Sequence, residues 1–154
     1  MSEQFDFDIR VPNQTQYLGL IGKIGEDIAQ TLKVYGGDRD ELAYHINLVL
    51  TEAMTNAICH ANENDPSKEV RVIISLNGPH LNIKVFDQGQ GFDISQLPTP
   101  DFAGDRDGGR GVYIIRSLMD SVSYRKADNG HVLEMTKVLY TENNATNSSN
   151  DDSA

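Results

Sequence analysis

Between Val70 and Phe86 two β-forming runs are separated only by Asn77-Gly78-Pro79: Val70 to Leu76 on one side, and Leu81, Ile83 and Val85 alternating with polar residues on the other. Branched residues at period two around a glycine–proline turn predict a β-hairpin. A hairpin with an apolar face is stable only when something covers it, and the remainder of the chain offers the cover. Tyr17, Leu20, Ile21, Ile24, Ile28 and Leu32 recur at spacings of three and four, with Asn13 as a cap before them and Gly36-Gly37 as a stop after them, which predicts one amphipathic helix. A second is expected from about Asp40 to Ala61, with Leu42, Ile46, Val49, Leu50, Ala53, Met54, Ala57 and Ile58 forming a wide apolar stripe.

Phe5, Phe7, Ile9 and Val11 alternate with Asp6, Asp8 and Arg10 until Pro12, the pattern of a half-buried strand. Val112 to Asp120 reads as a short helix, and Val122–Arg125 and His131–Leu139 as a closing hairpin joined at Ala127–Gly130. The order strand, helix, helix, hairpin, helix, hairpin predicts an α+β two-layer sandwich, its helices on one face of a mixed, mostly antiparallel sheet. From Gly89 to Gly111 lie six of the thirteen glycines with no clear period, so this stretch is expected to be a mobile lid. At 154 residues the chain suits one domain, here 1–140, followed by a polar tail, 141–154, that has almost nothing to bury and is expected to be disordered.

The formal net charge is -10, which opposes binding to a polyphosphate backbone and makes nucleic acid an unexpected partner. Cys59 is the lone cysteine, so no intramolecular disulfide can form. The acidic, alternating N-terminus lacks the regions of a signal peptide, and no apolar run approaches the ~18 residues that a membrane span needs. A cytoplasmic protein without a membrane segment is expected.

The chemistry concentrates in two places. Glu52 and Asn56 are four apart, so on a helix they share a face: one is a carboxylate able to take a proton, the other a carboxamide able to ligate a hard cation such as Mg²⁺. Alone, the pair is what any solvated helix face would show. Asp87 follows the alternating strand and precedes Gly89 and Gly91, where a carboxylate can accept from an adenine amino group while the glycines admit a flat base. Gly108-Gly109-Arg110-Gly111 then opens a helix, whose free N–H groups and positive dipole end favour phosphate. Phosphoryl transfer requires a metal shared by the phosphates, donors along the phosphate chain and a group that takes the proton of the attacking hydroxyl. Each requirement has a candidate here, with Glu52 as the base.

Glu-Ala-x-x-Asn-Ala-x-x-His at 52–60, Asp-x-Gly-x-Gly at 87–91 and Gly-x-Gly at 109–111 resemble the N, G1 and G2 boxes of the GHKL ATPases. Within that superfamily the chain is similar, across roughly residues 5–139, to the anti-sigma-factor serine/threonine kinases of bacterial partner switching. The resemblance implies that Asn56 holds the Mg²⁺ of Mg-ATP, that Glu52 activates the substrate hydroxyl, that Asp87 reads adenine, and that Gly89, Gly91, Gly108, Gly109 and Gly111 line the nucleotide. It further implies Arg110 at the phosphates or a partner, and Thr136 on the last strand joining Asp87 near adenine. Asp107 stands where members of the family often carry a basic residue. His60 fits the family box, but a packed helix residue beside the site suffices to explain it; His45, His80 and His131 show no metal-ligand spacing and call for no role.

The function so implied is that of a protein-serine/threonine kinase and anti-sigma factor. It would transfer the ATP γ-phosphate to a small anti-anti-sigma (STAS) protein and sequester a sigma factor, and it would be a homodimer. The alternative is an ATP-gated protein-binding module that moves no phosphate, for which Asn56 and Asp87 would suffice and Glu52 would have no use.

Overall fold

A computed structural model describes residues 3–91 and 110–141. The chain runs β1 (Gln4–Pro12), a 3₁₀ turn at Thr15–Tyr17, α1 (Leu18–Thr31), α2 (Arg39–Thr55), a π-helical turn at Asn56–Ala61, β2 (Glu69–Asn77), β3 (His80–Asp87), α3 (Arg110–Leu118), β4 (Ser121–Ala127) and β5 (Gly130–Val138). The strands form one sheet in the order β1-β2-β3-β5-β4, and every neighbouring pair is antiparallel. The two-layer α+β architecture is the expected one; the sheet is antiparallel throughout rather than mixed, because the β1–β2 connection and both hairpins reverse the chain, and β3 and β4, which run the same way, are separated by β5 and do not pair.

Alternation fixes which face is buried. Leu81, Ile83 and Val85 of β3 and Val70, Val72 and Ile74 of β2 are at most 1% exposed, whereas the residues between them are only half-buried. Ile46, Leu50 and Met54 of α2, Ile21 of α1 and Ile115 of α3 complete the same core. The opposite face of the sheet is polar, as in the paired Nε and Nη2 bonds from Arg71 to the Asp8 carboxylate at 2.9 and 2.6 Å. The first hairpin turns at Gly78, whose φ of +59° suits glycine.

Three local expectations are corrected. Asn13 caps no helix: it is 2% exposed, and its side-chain amide donates to the carbonyl of Asp65 at 2.9 Å. The helix that does carry a side-chain cap is α2, where Asp38 Oδ1 accepts from the amides of Asp40 and Glu41. α1 ends at Thr31, before the glycines, because Leu32 turns extended (ψ 129°) and buries its side chain in the core. The second helix stops being α-helical at Thr55. Thr51 and Thr55 each bond back to the carbonyl four residues earlier, at 2.8 Å, a pattern that bends helices. The next turn widens, so the amide of Asn62 reaches Ala57 O, five residues back, at 2.8 Å. Glu63 and Asn64, both left-handed (φ 52° and 57°), then lead the chain away. The expected lid and the tail beyond Thr141 lie outside the described residues, and no helix among the described residues is long and apolar enough to cross a membrane.

Candidate nucleotide site

The end of α2, the π turn, the end of β3 and the start of α3 meet at one end of the core. Glu52 lies in the last turn of α2, half-buried, and burial raises its carboxyl above the ordinary glutamate range. Asn56 begins the π turn, 9% exposed, and its Nδ2 has no hydrogen-bond partner among the described residues. Gly111, in the first turn of α3, is seated against both: a Cβ there would stand 2.7 Å from Glu52 Oε2 and 3.5 Å from Asn56 Nδ2. The structure thus brings together the candidate base, the candidate metal ligand and the start of α3.

Asn56 fits a magnesium ligand. A buried carboxamide whose Nδ2 has no partner among the described residues has an end to offer, and a half-rotation presents Oδ1 in place of Nδ2. A hard divalent cation that keeps water and takes few protein ligands asks for no more.

Asp87 closes β3 on the helix-covered face at 5% exposure. Its Oδ1 accepts from the amide of Gly89 at 2.9 Å and its Oδ2 from the hydroxyl of Tyr124 at 2.8 Å. Gly89 is there because nothing larger fits: a Cβ would lie 1.7 Å from the carbonyl oxygen of Ala61, so the glycine turn is pressed directly onto the π turn. Asn62 pins the same junction. It is fully buried, its Oδ1 accepts from the amide of Gln88 at 2.7 Å, and its Nδ2 reaches Asn13 Oδ1 at 3.0 Å and Glu69 O at 3.3 Å.

Other expected site residues fall elsewhere. Thr136 is not brought to Asp87: it pairs with Asn82, on the outer face of β5, and its Oγ1 accepts from Asn82 Nδ2 at 2.9 Å. The β5 residue that stands opposite Asp87 is His131. His60 is exposed on the π turn rather than packed. Arg110 is the first residue of α3, while Gly108, Gly109 and Asp107 lie outside the described residues. Sequence reasoning missed Asn62, Tyr124 and His131; only the pairing of β3 with β5, and of β5 with β4, reveals the last two.

The fold and these residues define a nucleotide-site class, and the comparisons agree. Residues 17–137 match the model of the histidine kinase-like ATPase domain, and the chain belongs to that family. Within it the chain is 31% identical over 143 residues to the serine-protein kinase RsbW of Bacillus subtilis (strain 168), spanning 88% of this chain and 86% of that protein. It is 32% identical, at the same coverage, to the RsbW serine-protein kinase of Bacillus licheniformis. It is 34% identical over 105 residues to the anti-sigma F factor of Anoxybacillus flavithermus (strain DSM 21510 / WK1), 65% of this chain and 71% of that one. Among solved structures, the histidine kinase domain from the Erythrobacter litoralis EL346 blue-light activated histidine kinase shares the fold, with a TM-score of 0.52 and 24% identity, covering 83% of this chain and 61% of that chain.

Proposed function

We propose that the chain is an ATP-dependent protein-serine/threonine kinase and anti-sigma regulatory factor. Its substrate would be a hydroxyl of an anti-anti-sigma (STAS) protein, and its second partner a sigma factor held by a homodimer of this chain in the cytoplasm. The observation that carries the kinase is the meeting of Glu52, Asn56 and Gly111. A module that merely bound ATP would have no need of a half-buried carboxylate beside the metal ligand and the phosphate-facing helix start.

In that mechanism Asn56 Oδ1 would hold the Mg²⁺ of Mg-ATP, which when bound would supply positive charge against the phosphate chain. The amides at the start of α3 face the phosphates, and Asp87 accepts from the adenine amino group. Glu52 takes the proton of the substrate hydroxyl as its oxygen bonds to the γ-phosphorus; the bond from that phosphorus to the β–γ bridging oxygen breaks and ADP departs. Burial of Glu52 strengthens it as a base by raising its affinity for that proton.

The test is γ-phosphate transfer from labelled Mg-ATP into a desalted extract of the source cells, by wild type and by Glu52→Gln. A small protein labelled by wild type alone supports the kinase. Equal labelling by Glu52→Gln excludes Glu52 as the base, and ATP binding without any labelling replaces the kinase with an ATP-gated binding module.

A further inference from the structure

On the face of the sheet away from the helices, the register sets Arg10, Arg71 and Phe86 side by side across β1, β2 and β3. They line a hollow of about 320 Å³ whose other side is the β4–β5 turn at Asp128 and Asn129, a volume at the lower end of the range for small-molecule sites. Arg71 is already engaged there. Its Nε and Nη2 close on the Asp8 carboxylate at 2.9 and 2.6 Å, and its guanidinium lies over the half-buried ring of Phe86, 5.6 Å from the centroid.

Arg10 and Glu69, in the same hollow, form an open pair. Nη1 and Oε1 stand 3.5 Å apart on side chains that are 67% and 44% exposed, against about 2.7–2.9 Å for a closed charge-assisted bond. Glu69 is nonetheless fixed at its backbone, whose amide donates to Gln88 Oε1 at 2.9 Å. The hollow therefore presents a cation and an anion next to each other, a second carboxylate at Asp128 and an aromatic ring. A ligand that was only an anion would meet Glu69 and Asp128, and one that was only a cation would meet Arg10 and Arg71. A ligand carrying both charges on adjacent groups meets neither conflict.

We propose that this hollow is a binding site for a free α-amino acid with an apolar side chain. The ligand's carboxylate accepts from the Arg10 guanidinium and its ammonium donates to Glu69, so that the two charge pairs run antiparallel. Both ligand charges sit on one carbon, a spacing suited to an open ion pair, and Asp128 adds negative potential on the ammonium's behalf. The side chain lies toward Phe86 and covers apolar surface there. The site faces away from Glu52 and Asn56 and does not depend on the ATP reading.

The test is an NMR titration of the ¹⁵N-labelled full chain with L-leucine and L-phenylalanine, and with two capped forms, N-acetyl-L-phenylalanine and L-phenylalaninamide, which lack the ammonium and the carboxylate respectively. The free amino acids are expected to shift the amides of Glu69, Gln88 and the 127–130 turn with a Kd of about 1 mM or below. Each capped form should bind at least about tenfold more weakly, the worth of one contact to a charged group. Arg10→Gln and Glu69→Gln, both at exposed side chains, should weaken the free amino acids by a similar factor. No shift with either amino acid at about 10 mM overturns the site. Capped forms that bind as well as free ones overturn the paired-charge recognition and need no variant. So does a folded Arg10→Gln with wild-type affinity.

Discussion

Asn62 Oδ1 accepts the amide hydrogen of Gln88 at 2.7 Å, tying the exit of the π turn to the residue after Asp87. The two lie 26 positions apart, and the carboxamide between them is fully buried. Asn62→Ala leaves the amide of Gln88 and Asn13 Oδ1 without their partner. A loss of about 3 kcal/mol follows from such unpaired buried groups, together with weaker ATP binding because the Asp87 turn is no longer pinned. Denaturant unfolding checks the first and calorimetry the second; a change below about 0.5 kcal/mol would contradict the anchoring role.

Glu52→Gln separates stability from activity. The native carboxyl binds its proton more tightly than the unfolded chain does, so the stability this gives is present below the unfolded pKa and lost as pH rises through the raised native one. At neutral pH the ionised carboxylate is a cost. Melting curves of wild type and variant should coincide in acid and diverge in favour of the variant toward neutrality, while phosphotransfer drops about 10²–10⁴-fold. Parallel melting profiles at all pH values would refute the burial effect.

Gly111→Ala should show the same split for a different reason. Within α3 alanine is the better helix former by about 1 kcal/mol, and the atom its Cβ meets, Glu52 Oε2, belongs to the movable end of a side chain. The fold therefore survives while Glu52 is displaced. Transfer is expected to fall at least about tenfold, mainly in kcat; unchanged kcat would remove Gly111 from the site.

Gly89→Ala has no such escape, since its Cβ would meet the backbone carbonyl of Ala61. The β3 exit must separate from the π turn, and both ATP affinity and melting temperature should fall. An alanine variant with wild-type melting would show that the two segments are not pressed together in solution.

How far the chain could be read without coordinates depends on the range of the interactions involved. Val70–Leu76 and Leu81–Val85 place a hairpin because the pattern and the turn between them are local, and the stripe from Leu42 to Met54 places α2 for the same reason. The π turn at Asn56–Ala61 escapes because its residues are as compatible with an α-helix; its widening is set by the threonine back-bonds and by the packing of Gly89 on Ala61. Glu52 and Asn56 share one helical face and could be found together. The partner of Asp87 could not, because the choice between Thr136 and His131 depends on the register of β5 against β3, a pairing across more than forty residues of chain.

The same pairing of distant segments bears on how the chain is made. β1 leaves the ribosome well ahead of its partner: Asp8 faces Ile73, 65 positions later. At synthesis rates of about 5–20 residues per second, Phe5, Phe7, Ile9 and Val11 wait for seconds with no sheet to join. Asp6 and Asp8, spaced among them, give each nascent strand a charge that repels its neighbour on the next chain. The acidic alternation guards the growing polypeptide during that wait.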